Sequence, residues 1–452
     1  KRMPPRLKDL NSAYLNASPS THFIEAQRLF NIGDFERSLY ECTAEIRLNS
    51  DNLKVYILLG RTAIILGRYS QAVGALQAAI QLAPKAGIAP ALLARALVHL
   101  GRHGEAIAAG KRALQQDDTD AEVYAQAMDA MLRCPSLSGE VTRQWAIDFQ
   151  TRFDAENDPV DSDRADPDAP LKVGFLSNAF FRTSGCDLYQ GWFQISPAKG
   201  MEYAGYQLSV NPDTITTTIK QGCTSWREVY DLDPYTLSFT MDAEELDVYV
   251  DLSYLDGDTR MAVGGMKPCP ARVGAFALPE PGLAPGVTHV LSDEILSEGD
   301  VAALLPGQEC VSISGSLFAQ EPYSGLSQET PCPAIEKGQV TFGGIVDLAY
   351  LSPECATLWA DVLHAVPQAN LLLCSPHEMA DEVRARVREF FSIAGVADRV
   401  LLPIDDVEEE IDELEAFHNA MSALPPAQMR EVDVFLDTSP VNCRRELCQA
   451  LW

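Results

Sequence analysis

Two textures of hydrophobic patterning divide the chain. In the first third, small and apolar residues recur with a period of 34: Gly33, Gly67 and Gly101 are spaced by that interval. Seven residues before each glycine stands Ala26, Gly60 or Ala94, and five after it stands Ser38, Ala72 or Ala106. In the middle copy the spaced positions are Tyr56, Leu59, Gly60, Ala63, Ala72, Leu76, Ala79 and Pro84. Small residues where helices cross let the backbones approach closely, and a glycine beside the turn permits an abrupt reversal. The period therefore predicts helix–turn–helix units, three over residues 19–120 and a weaker fourth from Tyr124. An alanine-rich bundle without repeats is the alternative, and it has no reason to keep three copies in register.

From Leu171 the pattern changes to short apolar runs separated by helical stretches. The runs at 171–177, 246–253, 271–278, 288–293, 339–347, 370–375, 398–403 and 432–437 read as strands. Runs apolar on both faces belong to parallel sheets covered by helices. Amphipathic helices fit between them at 353–366 and 380–395. The expected class is α/β with an N-terminal all-α repeat domain, the α/β part being two doubly wound halves. Domain boundaries follow: helical repeats over 1–153, a linker over 154–170, one Rossmann-like domain over 171–320 and a second over 321–452. The linker, DAENDPVDSDRADPDAP, is acidic and nearly devoid of large apolar residues. Ligands in such sheets sit at the carboxyl ends of the strands, which directs attention to the loops that follow them.

Composition narrows the function. The 452 residues are 46% hydrophobic and carry a formal net charge of −29. That surface repels phosphate backbones and anionic lipid, so neither nucleic acid nor membrane is an expected partner. No apolar run is long enough to span a bilayer and no signal-peptide pattern opens the chain. Eleven scattered cysteines without a Cys-x-x-Cys pair read as reduced thiols of a cytoplasmic protein. Cys443 and Cys448 read as ordinary helix cysteines, with a redox pair as the lesser alternative. Seven dispersed histidines lack metal-ligand spacing, so neither a metal nor another cofactor is expected. The acidic run DVEEEIDELE at 406–415 reads as a solvated face, with attraction of a basic partner as the alternative.

The helical units resemble tetratricopeptide repeats. Repeats and linker are followed in order by KVGFLSNAFFR, LDVYVDLSYLDGDTR, KPCPARVGAFALPEPG, VTFGGIVDLAYLSPECATLWADVLHAVP and VDVFLDTSPVNCRRELCQALW. This arrangement is similar to SPINDLY-type, O-GlcNAc-transferase-like glycosyltransferases of family 41, over most of residues 19–452. The resemblance implies a tetratricopeptide superhelix followed by a GT-B type pair of Rossmann-like domains. It implies transfer of a sugar from a nucleotide-sugar to protein Ser or Thr, with the repeats helping to choose the substrate. By typical domain size the second Rossmann-like half is expected to be incomplete at Trp452.

The active-site pattern of that family is broken in five loops. A Ser-x-Asp-Phe-Arg-x-His loop matches at Ser177, Phe180 and Arg182, but Ala179 takes the acid position and Thr183 the histidine position. A threonine hydroxyl forms hydrogen bonds but cannot take up a proton near neutral pH as imidazole does. Gly-His-Thr is replaced by Tyr254, Leu255 and Asp256, and of the Tyr-Pro-x-Thr-(Ser/Thr)-Gly loop only Pro279 remains. Tyr350 stands where the family has a lysine that faces the donor diphosphate. The closing Asn-(Gly/Ala)-His-Thr-Thr turn keeps Asn442 but continues Cys443, Arg444, Arg445 and Glu446. A nucleotide-sugar, if bound, would be held by Asp437, Asn442, Arg444 and Arg445. The asparagines that grip substrate in the repeat groove of the family correspond to Ile24, Leu58 and Leu92, which predicts an apolar or helical protein ligand there.

These departures lead to the expectation of a pseudoenzyme: a scaffold or complex subunit that binds protein partners through its repeats and its C-terminal half, as a hetero- or homo-oligomer. An active O-glycosyltransferase moving GlcNAc or fucose to a cytosolic protein is the alternative.

Overall fold

The computed structural model describes residues 20–117, 120–137, 139–154, 168–181, 186–194, 200–208, 212–230, 232–252, 261–275, 286–294, 304–317, 331–374, 381–402, 430–439 and 447. The chain divides into two compact units, residues 1–84 and 85–452.

The first unit is two helical hairpins: α1 (Thr21–Asn31) with α2 (Phe35–Leu48), and α3 (Leu53–Ile65) with α4 (Tyr69–Leu82). Each reversal uses the periodic glycine in the left-handed region, Gly33 at φ 79° and Gly67 at φ 71°, where a side chain is strained. Ser20 and Asp34 cap the first two helices with side-chain oxygens that accept from Phe23 and Arg37 backbone N–H groups. The small-residue positions mark the helix crossings. A Cβ on Gly60 would lie 2.6 Å from Leu76 Cδ2, and Ser38 Oγ donates to the Ala26 carbonyl at 2.8 Å. Ala26, Ala63, Ala72, Leu76 and Ala79 are fully buried around these crossings.

The second unit starts with two further hairpins, α5 (Ile88–His99) with α6 (His103–Gln116) and α7 (Ala121–Leu132) with α8 (Gly139–Asp154). Its core does not respect the boundary drawn at 153/154. Tyr124, Met128 and Leu132 of α7 and Ala146 and Phe149 of α8 form one apolar cluster with Ala262, Val287, Val290 and Leu305 of the α/β region. The apolar side of α7 and α8 is buried against that region in a shared cluster. The acidic stretch thus marks a change of composition without separating two cores.

The first sheet has seven parallel strands in the order β3-β2-β1-β4-β5-β6-β7. They are β1 (Leu171–Ser177), β2 (Met201–Gln207), β3 (Ser225–Glu228), β4 (Val248–Asp251), β5 (Ala271–Gly274), β6 (His289–Asp293) and β7 (Glu309–Ile313). The second has four, β8 (Thr341–Ile345), β9 (Asn370–Cys374), β10 (Val400–Leu401) and β11 (Val434–Phe435), in the order β10-β9-β8-β11, all parallel. All eight runs read as strands contain one. β2, β3 and β7 were not anticipated; their polar residues and the exposed faces of β3 and β7 hide the apolar run that buried strands display. The helices Pro353–Ala365 and Asp381–Ile393 cover the second sheet. Trp359, Leu363, Val383, Val387 and Phe391 pack with Leu371, Leu373 and Val346 in its core.

Candidate functional site

In both sheets the strand order reverses once, between β1 and β4 and between β8 and β11. Outside the carboxyl ends of such strand pairs lies the crevice in which doubly wound sheets hold ligands.

At the second reversal the two loops are tied together. Strands β8 and β11 approach so closely that a Cβ on Gly344 would lie 2.8 Å from the Leu436 carbonyl oxygen. After β8, Asp347 Oδ1 accepts from the Ala349 N–H (3.0 Å) and caps the single helical turn Leu348–Tyr350. Ser352 then caps the helix Pro353–Ala365 by accepting from Cys355 N–H (3.0 Å), and its hydroxyl donates to the Ser439 carbonyl (2.9 Å) beyond β11. In that second loop the Thr438 N–H donates to Asp437 Oδ1 at 2.8 Å. Tyr350 and Asp437, chosen from sequence, therefore lie in the two loops that meet at this reversal.

Tyr350 is engaged from the repeat side. Its ring lies 6.1 Å, centroid to centroid, from that of His99 at the end of α5. Its hydroxyl is hydrogen-bonded to Arg133, the residue that ends α7, and Arg133 is paired with Asp129 at 3.2 Å. Burial would lower the Arg133 pKa, but the charge of Asp129 and the Tyr350 hydroxyl outweigh it, so the guanidinium stays firmly charged. A second arginine, Arg386, reaches the same loop, its Nη2 donating to the carbonyls of Leu348 (2.7 Å) and Ala349 (2.9 Å). Burial lowers the Arg386 pKa, and the carboxylate of Asp347 partly restores it. His103 is held neutral beside them. Desolvation first and the Arg386 charge second lower its pKa to about 4, while the nearby Ala349 carbonyl pulls the other way.

At the first reversal the described residues after β1 are bonded among themselves. Ser177 Oγ and the Tyr189 hydroxyl are 2.7 Å apart, Ser177 Oγ accepts from Ala179 N–H (2.9 Å), and the Tyr189 hydroxyl donates to the Ala179 carbonyl (3.2 Å). Ala179 and Phe180 are buried, with Phe180 packed edge-on against Tyr189 and Phe193. At the end of β4, buried Asp251 accepts from the Tyr249 hydroxyl at 2.8 Å.

Thr183, Leu255, Asn442, Arg444 and Arg445 lie outside the described residues, as do Arg182, Tyr254, Asp256, Pro279 and Glu446. The repeat positions divide. Ile24 is 54% exposed on α1, but Leu58 on α3 and Leu92 on α5 are only 5% and 3% exposed. Leu58 and Leu92 are core residues and cannot present themselves to a ligand in a groove, which corrects that assignment. The reason is the breadth of the apolar surface: α3 buries Val55, Leu58, Leu59, Gly60, Thr62, Ala63 and Ile64, more than one stripe. Spacing alone does not say which leucine of such a helix faces outward. Sequence reasoning also passed over Arg133, His103 and Arg386, single polar residues whose importance lies in partners far along the chain. Among the described residues no group of three or more His, Cys, Asp or Glu side chains could hold a metal ion, and no helix is long and apolar enough to cross a membrane.

A tetratricopeptide-repeat family model matches residues 57–121. The probable UDP-N-acetylglucosamine–peptide N-acetylglucosaminyltransferase SPINDLY of Petunia hybrida is 23% identical over 324 residues, covering 69% of this chain and 32% of the relative. Its counterpart in Arabidopsis thaliana is 24% identical over 326 residues, covering 69% and 33%. The chain thus spans about a third of the length of these relatives. Among solved structures, a variant of the O-GlcNAc transferase of Thermobaculum terrenum has a TM-score of 0.78 at 22% identity, covering 95% of this chain and 80% of that one. The two share a fold.

Proposed function

Because the chain is a tetratricopeptide-repeat homologue of SPINDLY and O-GlcNAc transferase, we propose that it is a catalytically degenerate relative that acts as an interaction scaffold or complex subunit. The observation that carries this reading is Tyr350. Where the resemblance places a lysine facing the donor diphosphate, a phenol stands with its hydroxyl on Arg133 and its ring beside His99. A neutral phenol cannot stabilise the charge that develops on a leaving diphosphate, and loss of such a preorganised cation costs on the order of several kcal/mol of transition-state stabilisation. The buried, self-bonded Ala179 at the family's acid position supports the same reading. Protein partners would be engaged through the repeat helices, where Ile24 is exposed, and through the C-terminal half. A cytoplasmic setting belongs to this proposal.

One observation favours sugar transfer instead: the reversal at β8 and β11 is intact and brings Asp437 and the loop after β8 together. In that reading Arg444 and Arg445 hold the diphosphate. Isothermal titration with UDP, UDP-GlcNAc and GDP-fucose separates the two. The scaffold reading expects no binding in the micromolar range, and a micromolar Kd for any of the three overturns it.

A further inference from the structure

The turn glycine of the third repeat copy has a neighbour that its equivalent in the second copy lacks. Gly67 and Gly101 hold the same place in the 34-residue register and nearly the same backbone conformation, φ 71° and 69°. Among the described residues, a Cβ on Gly67 would meet nothing within 4 Å, whereas one on Gly101 would lie 2.5 Å from Cζ of Arg386. Arg386 stands on the helix Asp381–Ile393, 285 residues further along, and its Nη1 donates to the Gly101 carbonyl at 2.7 Å. Its Nη2 holds the Leu348 and Ala349 carbonyls. One guanidinium therefore joins the repeat turn to the helical turn that carries Tyr350. A second tie runs beside it: the Tyr350 ring lies against His99, and its hydroxyl is bonded to Arg133, itself paired with Asp129. Both ties are at least partly buried, so these charge-assisted bonds outweigh comparable ones in water.

We propose that this double tie couples the third and fourth repeat copies to residues 346–351, so that any partner that repacks the repeat turn also shifts the loop at the carboxyl ends of β8 and β11. By linkage the effect is reciprocal: a ligand that reorders the loop changes the repeat turn to the same degree. The coupling is independent of whether a nucleotide-sugar binds, because it is read on the chain alone.

Hydrogen exchange of the whole chain, followed by mass spectrometry, tests it. Gly101→Ala, which places a methyl group against the guanidinium, is expected to raise exchange in residues 346–351 roughly tenfold, the order expected when buried bonds to a charged group are lost. Arg386→Gln is expected to raise exchange both there and in residues 98–103. Gly67→Ala carries the same backbone strain without the clash and should leave 346–351 unchanged. The Gly101→Ala, Arg386→Gln double variant should be no worse than either single one. Tyr350→Phe, which removes one hydroxyl and keeps the ring, should raise exchange in 130–134 about threefold or more, and it remains informative if a double variant fails to fold. The proposal is overturned if Gly101→Ala acts only locally, if Gly67→Ala loosens the loop equally, if the double effect is additive, or if Tyr350→Phe leaves 130–134 unchanged.

Discussion

Acidification should loosen the junction around His103 before it affects the rest of the protein. Burial and the neighbouring Arg386 lower the His103 pKa to about 4 from 6.5. Asp347 acts on Arg386 and Asp129 is paired with Arg133, so both carboxylates are engaged. Between these two pKa values the opened state binds more protons than the closed one, so stability rises with pH across that window. The contribution is fully present above about pH 6.5, is lost as pH falls, and is exhausted near pH 4. At pH 5 the difference amounts to about 2 kcal/mol, roughly twentyfold or more in the local opening constant relative to pH 7. Histidine-labelled protein offers seven ring signals to titrate, and the one missing in His103→Gln reports this site. Exchange of residues 98–103, corrected for the intrinsic pH dependence, measures the opening without assuming two-state unfolding of a chain this large. A His103 midpoint near 6.5, or the same acid-induced opening in His103→Gln, would refute the reasoning.

Three further outcomes are expected. Tyr350→Lys will create no sugar transfer, because one cation does not realign the other altered loops, and it will lower the melting temperature. An ammonium facing Arg133 in place of a hydroxyl acceptor costs about 2–4 kcal/mol; transfer by this variant would sink the degenerate-site reading. Gly60→Val should destabilise the first unit by about 1–3 kcal/mol through overpacking, since a Cβ already meets Leu76 at 2.6 Å; chemical denaturation of a variant no weaker than the parent would contradict this. At pH 8 iodoacetamide should modify exposed Cys332 well ahead of Cys42, Cys134 and Cys269, whose thiols burial pushes up to about 12. Equal rates by peptide mapping would count against their burial.

Local physics made much of this protein legible from its residues. Gly33, Gly67 and Gly101 announced the repeat turns because a reversal at positive φ admits little else. The apolar runs announced parallel strands, well buried in β1 and β9, because both faces of such strands must leave water. Tyr350 and Asp437 were singled out by a family resemblance, and only the strand order shows that their loops meet at one reversal. Other features depended on partners that no window of sequence contains. Whether Leu58 faces a groove or the core is decided by which neighbour covers a helix apolar over most of its circumference. The edge strands β3 and β7 are held by backbone pairing to one neighbour, so their side chains need no apolar pattern. That one repeat glycine is open while the next receives Arg386 from 285 residues away is invisible in the period, which makes the two identical. Periodicity records what each element must bury, whereas tertiary packing alone decides against what it is buried.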